Sequence, residues 1–218
     1  WNDKIGAAQA STIIRNAAEK LPMNFENQRQ VQGLSTYMFK YYTETNKENL
    51  QAIAEHWKNL TVEERQLPPQ QLLLKAQEAK IKEQYGEEAV KNMDFALEAA
   101  KWDLPDYRFE DWQEYFIKSQ KVPLPEWAKN VFYQINVPVK INGKIVNVPK
   151  YQAYFLMRSD PRGAFLGQYT NCCQHPMGAG SECAKHGVLD PRGCFFVVED
   201  VSGREPEVIA QSWVWQAR

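Results

Sequence analysis

Residues 137–148 read VPVKINGKIVNV, and two segments of alternating β-branched and polar residues meet there at Asn142-Gly143. Asn and Gly tolerate the positive φ of a two-residue type I′ turn, so this is the strongest short hairpin signal in the chain. It also marks a change of texture. Upstream, apolar residues recur at three- and four-residue spacing; downstream, strand-like segments dominate. The fold class expected is therefore α+β. A helical N-terminal bundle or array occupies residues 1–134, and a mainly antiparallel β module occupies 135–218.

Working back from the hairpin, helical spacing predicts amphipathic helices in ASTIIRNAAEKL (10–21), VQGLSTYMFKYY (31–42), NLQAIAEHWKNL (49–60), QLLLKAQEAKIKEQY (71–85), AVKNMDFALEAAKW (89–102) and FEDWQEYFIKSQ (109–120). A last short helix is expected in EWAKNVFYQI (126–135). The punctuation agrees: Thr61 with Glu64 makes a capping box, Pro68-Pro69 opens a helix, Gly86 stands where a C′ residue belongs, and Pro22, Pro105 and Pro123 end runs. Working forward, YQAYFLMRS (151–159), AFLGQY (164–169), CFFVVEDV (194–201) and EVIAQSWVW (207–215) read as strands, the last two joined by a hairpin loop. Asp-Pro-Arg-Gly occurs twice, at 160–163 and 190–193, with the residue order of a type I turn. The other reading of that repeat presents Arg162 and Arg192 to an anion.

Composition narrows the function classes. With 44% apolar residues, including seven Trp, ten Tyr and ten Phe, the chain can bury a sizeable core. A net charge of −1, with both signs interspersed, creates no field that gathers nucleic acid, and none is expected as a partner. No apolar run approaches the ~20 residues of a bilayer span, and the first residues lack a signal-peptide core. The expectation is a cytoplasmic or virion-associated protein, not secreted and not in a membrane. Narrow apolar stripes and charged faces in the helical half suggest that it docks a protein partner. The start at Trp1 and the stop in a strand read as a piece of a longer protein.

The chemistry concentrates in NCCQHPMGAGSECAKHG, 171–187, which holds three of the four cysteines and two of the three histidines. Cys172-x-x-His175 and Cys183-x-x-His186 form matched pairs. Four such ligands suit a closed, structural zinc site, with the glycines of the intervening loop allowing the pairs to fold together. Three other readings stand beside it. Cys172 or Cys173 could be a nucleophile activated by His175 or His186, which makes a cysteine hydrolase with Cys173 and His186 as its pair. The cysteines could be core filling, or part of a disulfide. The Gly178-x-Gly180 turn before a short helix also has the form of a phosphate cradle.

GCFFVVEDVSGREPEVIAQSWVW, 193–215, resembles the opening of a GCN5-related N-acetyltransferase (GNAT) domain: a strand ending in an acidic pair, a Gly-containing loop, and a return strand with a small residue and aromatics. LGQYTNCCQ with GAGSEC is similar to segments of uncharacterised proteins, some from large bacteriophages, that carry this cysteine cluster ahead of such a hairpin. The resemblance covers the N-terminal portion of that domain, about residue 151 onward. It implies a truncated GNAT-like module that uses acetyl-CoA to acylate an amine without a covalent enzyme intermediate. The Q/R-x-x-G-x-G/A loop that would hold the cofactor's pyrophosphate does not follow Trp215, and no catalytic role is carried over to Glu199 or Asp200. A non-catalytic interaction protein, with a helical docking domain and a zinc-stapled β module, is the alternative.

Overall fold

A computed structural model describes residues 6–20, 25–41, 47–203 and 205–217. The chain packs as two compact units, Trp1–Met93 and Asp94–Arg218. The change from helix to strand comes three residues before the expected boundary at 135, with the first strand starting at Phe132. Two of the expected helices, however, belong to the second unit together with the sheet.

The first unit contains α1 (Ala7–Glu19), α2 (Phe25–Tyr41), α3 (Lys47–His56) and α4 (Pro69–Tyr85). Their apolar stripes meet in a core that includes Ile13, Leu34, Met38, Leu50, Ile53, Trp57 and Leu72. Tyr37 packs its ring 5.5 Å from Trp57 and donates its hydroxyl to the Leu67 carbonyl at 3.1 Å. The capping box forms in both directions: Glu64 N–H donates to Thr61 Oγ1 at 3.2 Å and Thr61 N–H to Glu64 Oε2 at 2.8 Å. What it caps is a single 3₁₀ turn, Glu64–Gln66, before Pro69 opens α4. Gly86 ends α4 with φ +87°, a conformation that side chains strain to reach. Pro22 lies outside the described residues.

In the second unit, α5 (Met93–Lys101) and α6 (Asp106–Ser119) precede a four-stranded antiparallel sheet in the order β1-β2-β3-β4, with strands Phe132–Ile141, Lys144–Phe155, Gly193–Asp200 and Glu207–Trp215. Asn142 and Gly143 take φ of +50° and +80°, the type I′ geometry their identities require. α7 (Leu166–Tyr169) and α8 (Ser181–Leu189) lie between β2 and β3 in sequence. Phe95, central to this core, stacks 5.0 Å from Phe116 and packs 5.6 Å from Phe165. Trp112 and Tyr115 are buried, and Trp102 and Trp127 are half-buried.

Two local expectations are corrected. AFLGQY is helical rather than a strand: Asp160-Pro161 starts a 3₁₀ segment, Pro161–Phe165, that runs into α7. The Asp160 carboxylate accepts from the Arg162 N–H at 3.0 Å and thereby caps that segment, overriding the strand-like composition. EWAKNVFYQI keeps only one 3₁₀ turn, Glu126–Ala128, because Phe132 onward pairs with β2, Phe132 opposite Tyr154. Cross-strand pairing outweighs a helical period that spans fewer than three turns. Among the described residues, no helix is long and apolar enough to cross a membrane.

Candidate functional site

The cysteine-histidine segment folds as a tight loop between α7 and α8, held by backbone contacts at three points. Cys172 N–H donates to the Gly167 carbonyl at 2.7 Å, Gly178 N–H to His175 at 2.8 Å, and Gly180 N–H to Cys173 at 3.0 Å. The closeness dictates glycine: a Cβ on Gly167 would lie 2.3 Å from the Gln174 carbonyl carbon, and one on Gly178 would lie 2.1 Å from the Cys173 oxygen. Thus Gly178, one of the glycines that suggested a cradle, is needed, together with Gly167, for the chain to cross itself.

Side chains from α6 and β4 fix the loop from outside. Arg108 donates through Nε and Nη2 to the Pro176 carbonyl at 3.2 and 2.7 Å, and Gln211 Nε2 on β4 donates to Gln174 Oε1 at 3.2 Å. Lys185 pairs with Asp111 at 2.7 Å, while the Tyr115 hydroxyl donates to the carbonyls of Ala184 and Lys185. Burial pushes the Tyr115 hydroxyl well above its ordinary range, so it stays protonated and able to donate.

The four expected metal ligands do not converge. Cys172 is half-buried, Cys173 and Cys183 are exposed, and all are unbridged thiols. His175 accepts from the Met177 N–H through Nδ1 at 3.3 Å. His186 stacks on Trp215 with ring centroids 5.4 Å apart, meets Trp213 edge-on at 5.3 Å, and holds Nε2 3.9 Å from Asp190 Oδ2. Among the described residues, no three His, Cys, Asp or Glu side chains form a group able to hold a metal. The loop as folded does not fit the four-ligand zinc arrangement. Nor does any described thiol hydrogen-bond to an imidazole, so Cys173 and His186 are not assembled as a nucleophile and base. The fourth cysteine, Cys194, is fully buried, and burial pushes its thiol up to about 11.

Behind the loop lie two buried polar networks. In the first, Arg158, 7% exposed, donates to the carbonyls of Gly187 (3.1 Å), Val188, Asp190 (2.8 Å) and Gly193, joining the end of α8 to the start of β3. In the second, Glu199, 1% exposed at a β-bulge after Val198, accepts from Gln152, Tyr154 (2.7 Å) and Arg162 (2.6 Å). Arg162 is held in turn by Asp160 at 2.6 Å. Burial, the largest influence, pushes the Glu199 carboxyl up, but the hydrogen bonds from Gln152, Tyr154 and Arg162 together carry it below the usual carboxylate range. Tyr154 is pushed up to about 12, by burial first and then by its bond to Glu199.

Both Asp-Pro-Arg-Gly segments are turns, with Gly163 N–H on Asp160 (3.1 Å) and Gly193 N–H on Asp190 (3.3 Å). Arg162 is committed to internal carboxylates, whereas Arg192 is half exposed. Arg162 serves Asp160 and Glu199, while Arg192 pairs with Asp190 at 3.0 Å and covers Trp215 at 5.0 Å. Sequence reading missed Arg158 and Glu199 as network centres. The available signal was a charged residue at an inward position of an otherwise apolar strand or strand end. The chain matches no family model, no curated protein and no solved structure.

Proposed function

We propose that the second unit is an N-acyltransferase-like module, in which the antiparallel sheet is the platform on which an acyl thioester meets an amine. The observation that supports this reading is the β3–β4 hairpin. It runs from Gly193 opposite Trp215 to Asp200 opposite Glu207, is bulged after Val198, and carries the acidic pair, the Gly203 loop, Ala210 and the paired tryptophans of the resembling segment. In such a transfer the amine nitrogen attacks the thioester carbonyl, a C–N bond replaces the C–S bond, and the nitrogen's proton ends on the released thiol. Glu199 is not the base in this reading, because all its contacts are internal; it holds the bulge. Asp200 is likewise occupied by Ser202 N–H at 2.8 Å.

Equilibrium dialysis of the 218-residue chain with acetyl-CoA tests the reading, followed by mass spectrometry of a mixture of primary amines. Saturable binding with N-acetylated product is the expected outcome. Absence of binding at millimolar cofactor overturns the acyltransferase reading for these residues.

The non-catalytic alternative has one observation in its favour. Beyond the five residues of β2 that pair with β3, the β1–β2 hairpin is a two-stranded arm, and Val139, Ile141, Ile145 and Val146 along it are exposed. Isolated two-stranded ribbons are marginal in water. An interaction role would give such an arm its cover.

A further inference from the structure

Among the described residues, no metal-holding group engages Cys172, Cys173 or Cys183, and none of the three is bridged. The loop nevertheless carries two of them to one place from separate segments. Gly180 N–H donates to the Cys173 carbonyl at 3.0 Å, and a Cβ on Gly180 would lie 3.0 Å from Cys173 Sγ. Cys173 thus sits against the residue that caps α8. Cys183 stands in the first turn of that helix, its N–H donating to the Gly180 carbonyl at 3.0 Å.

Positions three residues apart on a helix are neighbours, with Cβ atoms about 5–6 Å apart, and helical side chains lean toward the N-terminus. The Cys183 side chain therefore covers the turn that begins at Gly180, where Cys173 Sγ already lies. A side chain at position 180 would stand between the two sulfurs, and glycine leaves that space open. Both thiols are exposed, so rotation about their χ1 angles brings them together without unpacking the core. The other two cysteines are placed differently. Cys172 is half-buried with its N–H on the Gly167 carbonyl of α7 at 2.7 Å, and Cys194 is fully buried on β3.

We infer that Cys173 and Cys183 form a reversible dithiol–disulfide site, oxidised by a peroxide and reduced by an external thiol, that ties the loop to the first turn of α8. One thiolate attacks a peroxide oxygen, the O–O bond breaks, and a sulfenic acid forms as the other oxygen leaves as water. The second thiolate then attacks the sulfenic sulfur, an S–S bond replaces the S–O bond, and the second oxygen leaves as water. Two thiols and one hydrogen peroxide give one disulfide and two waters. The acyltransferase reading uses neither thiol, so the inference is independent of it.

The probe is hydrogen peroxide, titrated into the reduced, folded 218-residue chain, with remaining thiols then blocked by N-ethylmaleimide in denaturant. Expected in the intact mass are the loss of two hydrogens and two blocked thiols in place of four, with dithiothreitol restoring the starting state. Cleavage after Glu182 separates Cys183 from Cys172 and Cys173, and should yield the two pieces joined through a disulfide. Cys173→Ser and Cys183→Ser each abolish the bridge, whereas Cys172→Ser and Cys194→Ser retain it. Should Cys173→Ser fail to fold by far-ultraviolet CD, Cys183→Ala reads the same loss. Oxidation to sulfinic acid with no bridge, disulfide-linked dimers, or a bridge that survives in Cys173→Ser through Cys172 each overturn the inference.

Discussion

Arg158 shows how one side chain can close a structure that no run of apolar residues would close. Its planar fork reaches four carbonyls, two of them in the last turn of α8, where the helix dipole concentrates negative charge. Burial lowers the pKa of Arg158, partly offset by the neighbouring Cys194, Tyr115 and Asp190. Replacing it with methionine preserves bulk but strands those carbonyls in a desolvated site. Arg158→Met is expected to destabilise the second unit by about 3 kcal/mol, read from urea midpoints, with lysine restoring only part because it lacks the fork.

The same scale explains which local signals were legible. Thr61 with Glu64, Gly86 and Asn142-Gly143 behave as their chemistry requires, since caps and positive-φ turns are decided by the residues that make them. The spacing of Cys172, His175, Cys183 and His186 is a different kind of signal. It requires both halves to swing to one side, and His186 instead spends its ring face on Trp215 and Trp213, residues almost thirty positions away on β4.

Among elements, β3 carries the unit's electrostatics. Glu199 lies opposite Gln152 on β2, so the pairing register itself delivers the amide, and Tyr154 two residues on supplies the hydroxyl. Arg162 arrives from the 3₁₀ segment between β2 and α7. The folded pKa of Glu199 lies below its unfolded value of about 4.3. The native state therefore binds fewer protons. Its stabilisation is fully present above the unfolded value and is lost as pH falls through the folded value. Thermal melts between about pH 6 and about pH 3 should show Tm falling on the acid side, with Glu199→Gln lower at neutral pH and flatter on acidification. An unchanged acid slope in the variant would assign the effect to other carboxylates.

The strand EVIAQSWVW was legible residue for residue because β4 carries its signal in β-branched and aromatic content between turn residues. AFLGQY has similar content and became helical, since its cap and its burial against Phe95 lie outside the six letters.

At the scale of the molecule, the division after Met93 regroups the helices: α1 to α4 share a core without the sheet, while α6 supplies Arg108, Asp111 and Tyr115 to the loop and to α8. Tyr169 on α7 likewise donates to Glu98 on α5 at 2.6 Å. Every hydrogen bond described above for the loop, Arg158 and Glu199 lies within residues 94–218. That segment expressed alone is expected to unfold in one cooperative urea transition and to keep a native-like near-ultraviolet CD spectrum. A broad, non-cooperative transition would show that the unit is not autonomous.

What the sequence by itself determined here is local: α+β character, the hairpin about Asn142-Gly143, the caps, the type I′ turn, and glycine where the chain turns on itself. These follow from φ preferences and from periods of two and 3.6, which act between near neighbours. Only the tertiary structure decided that α5 and α6 belong with the sheet, that the cysteine-histidine pairs form no metal-holding group among the described residues, and that Arg158 and Glu199 are network centres. Those outcomes depend on desolvation and on partners about thirty or more residues distant, where the order of residues along the chain carries no distance information.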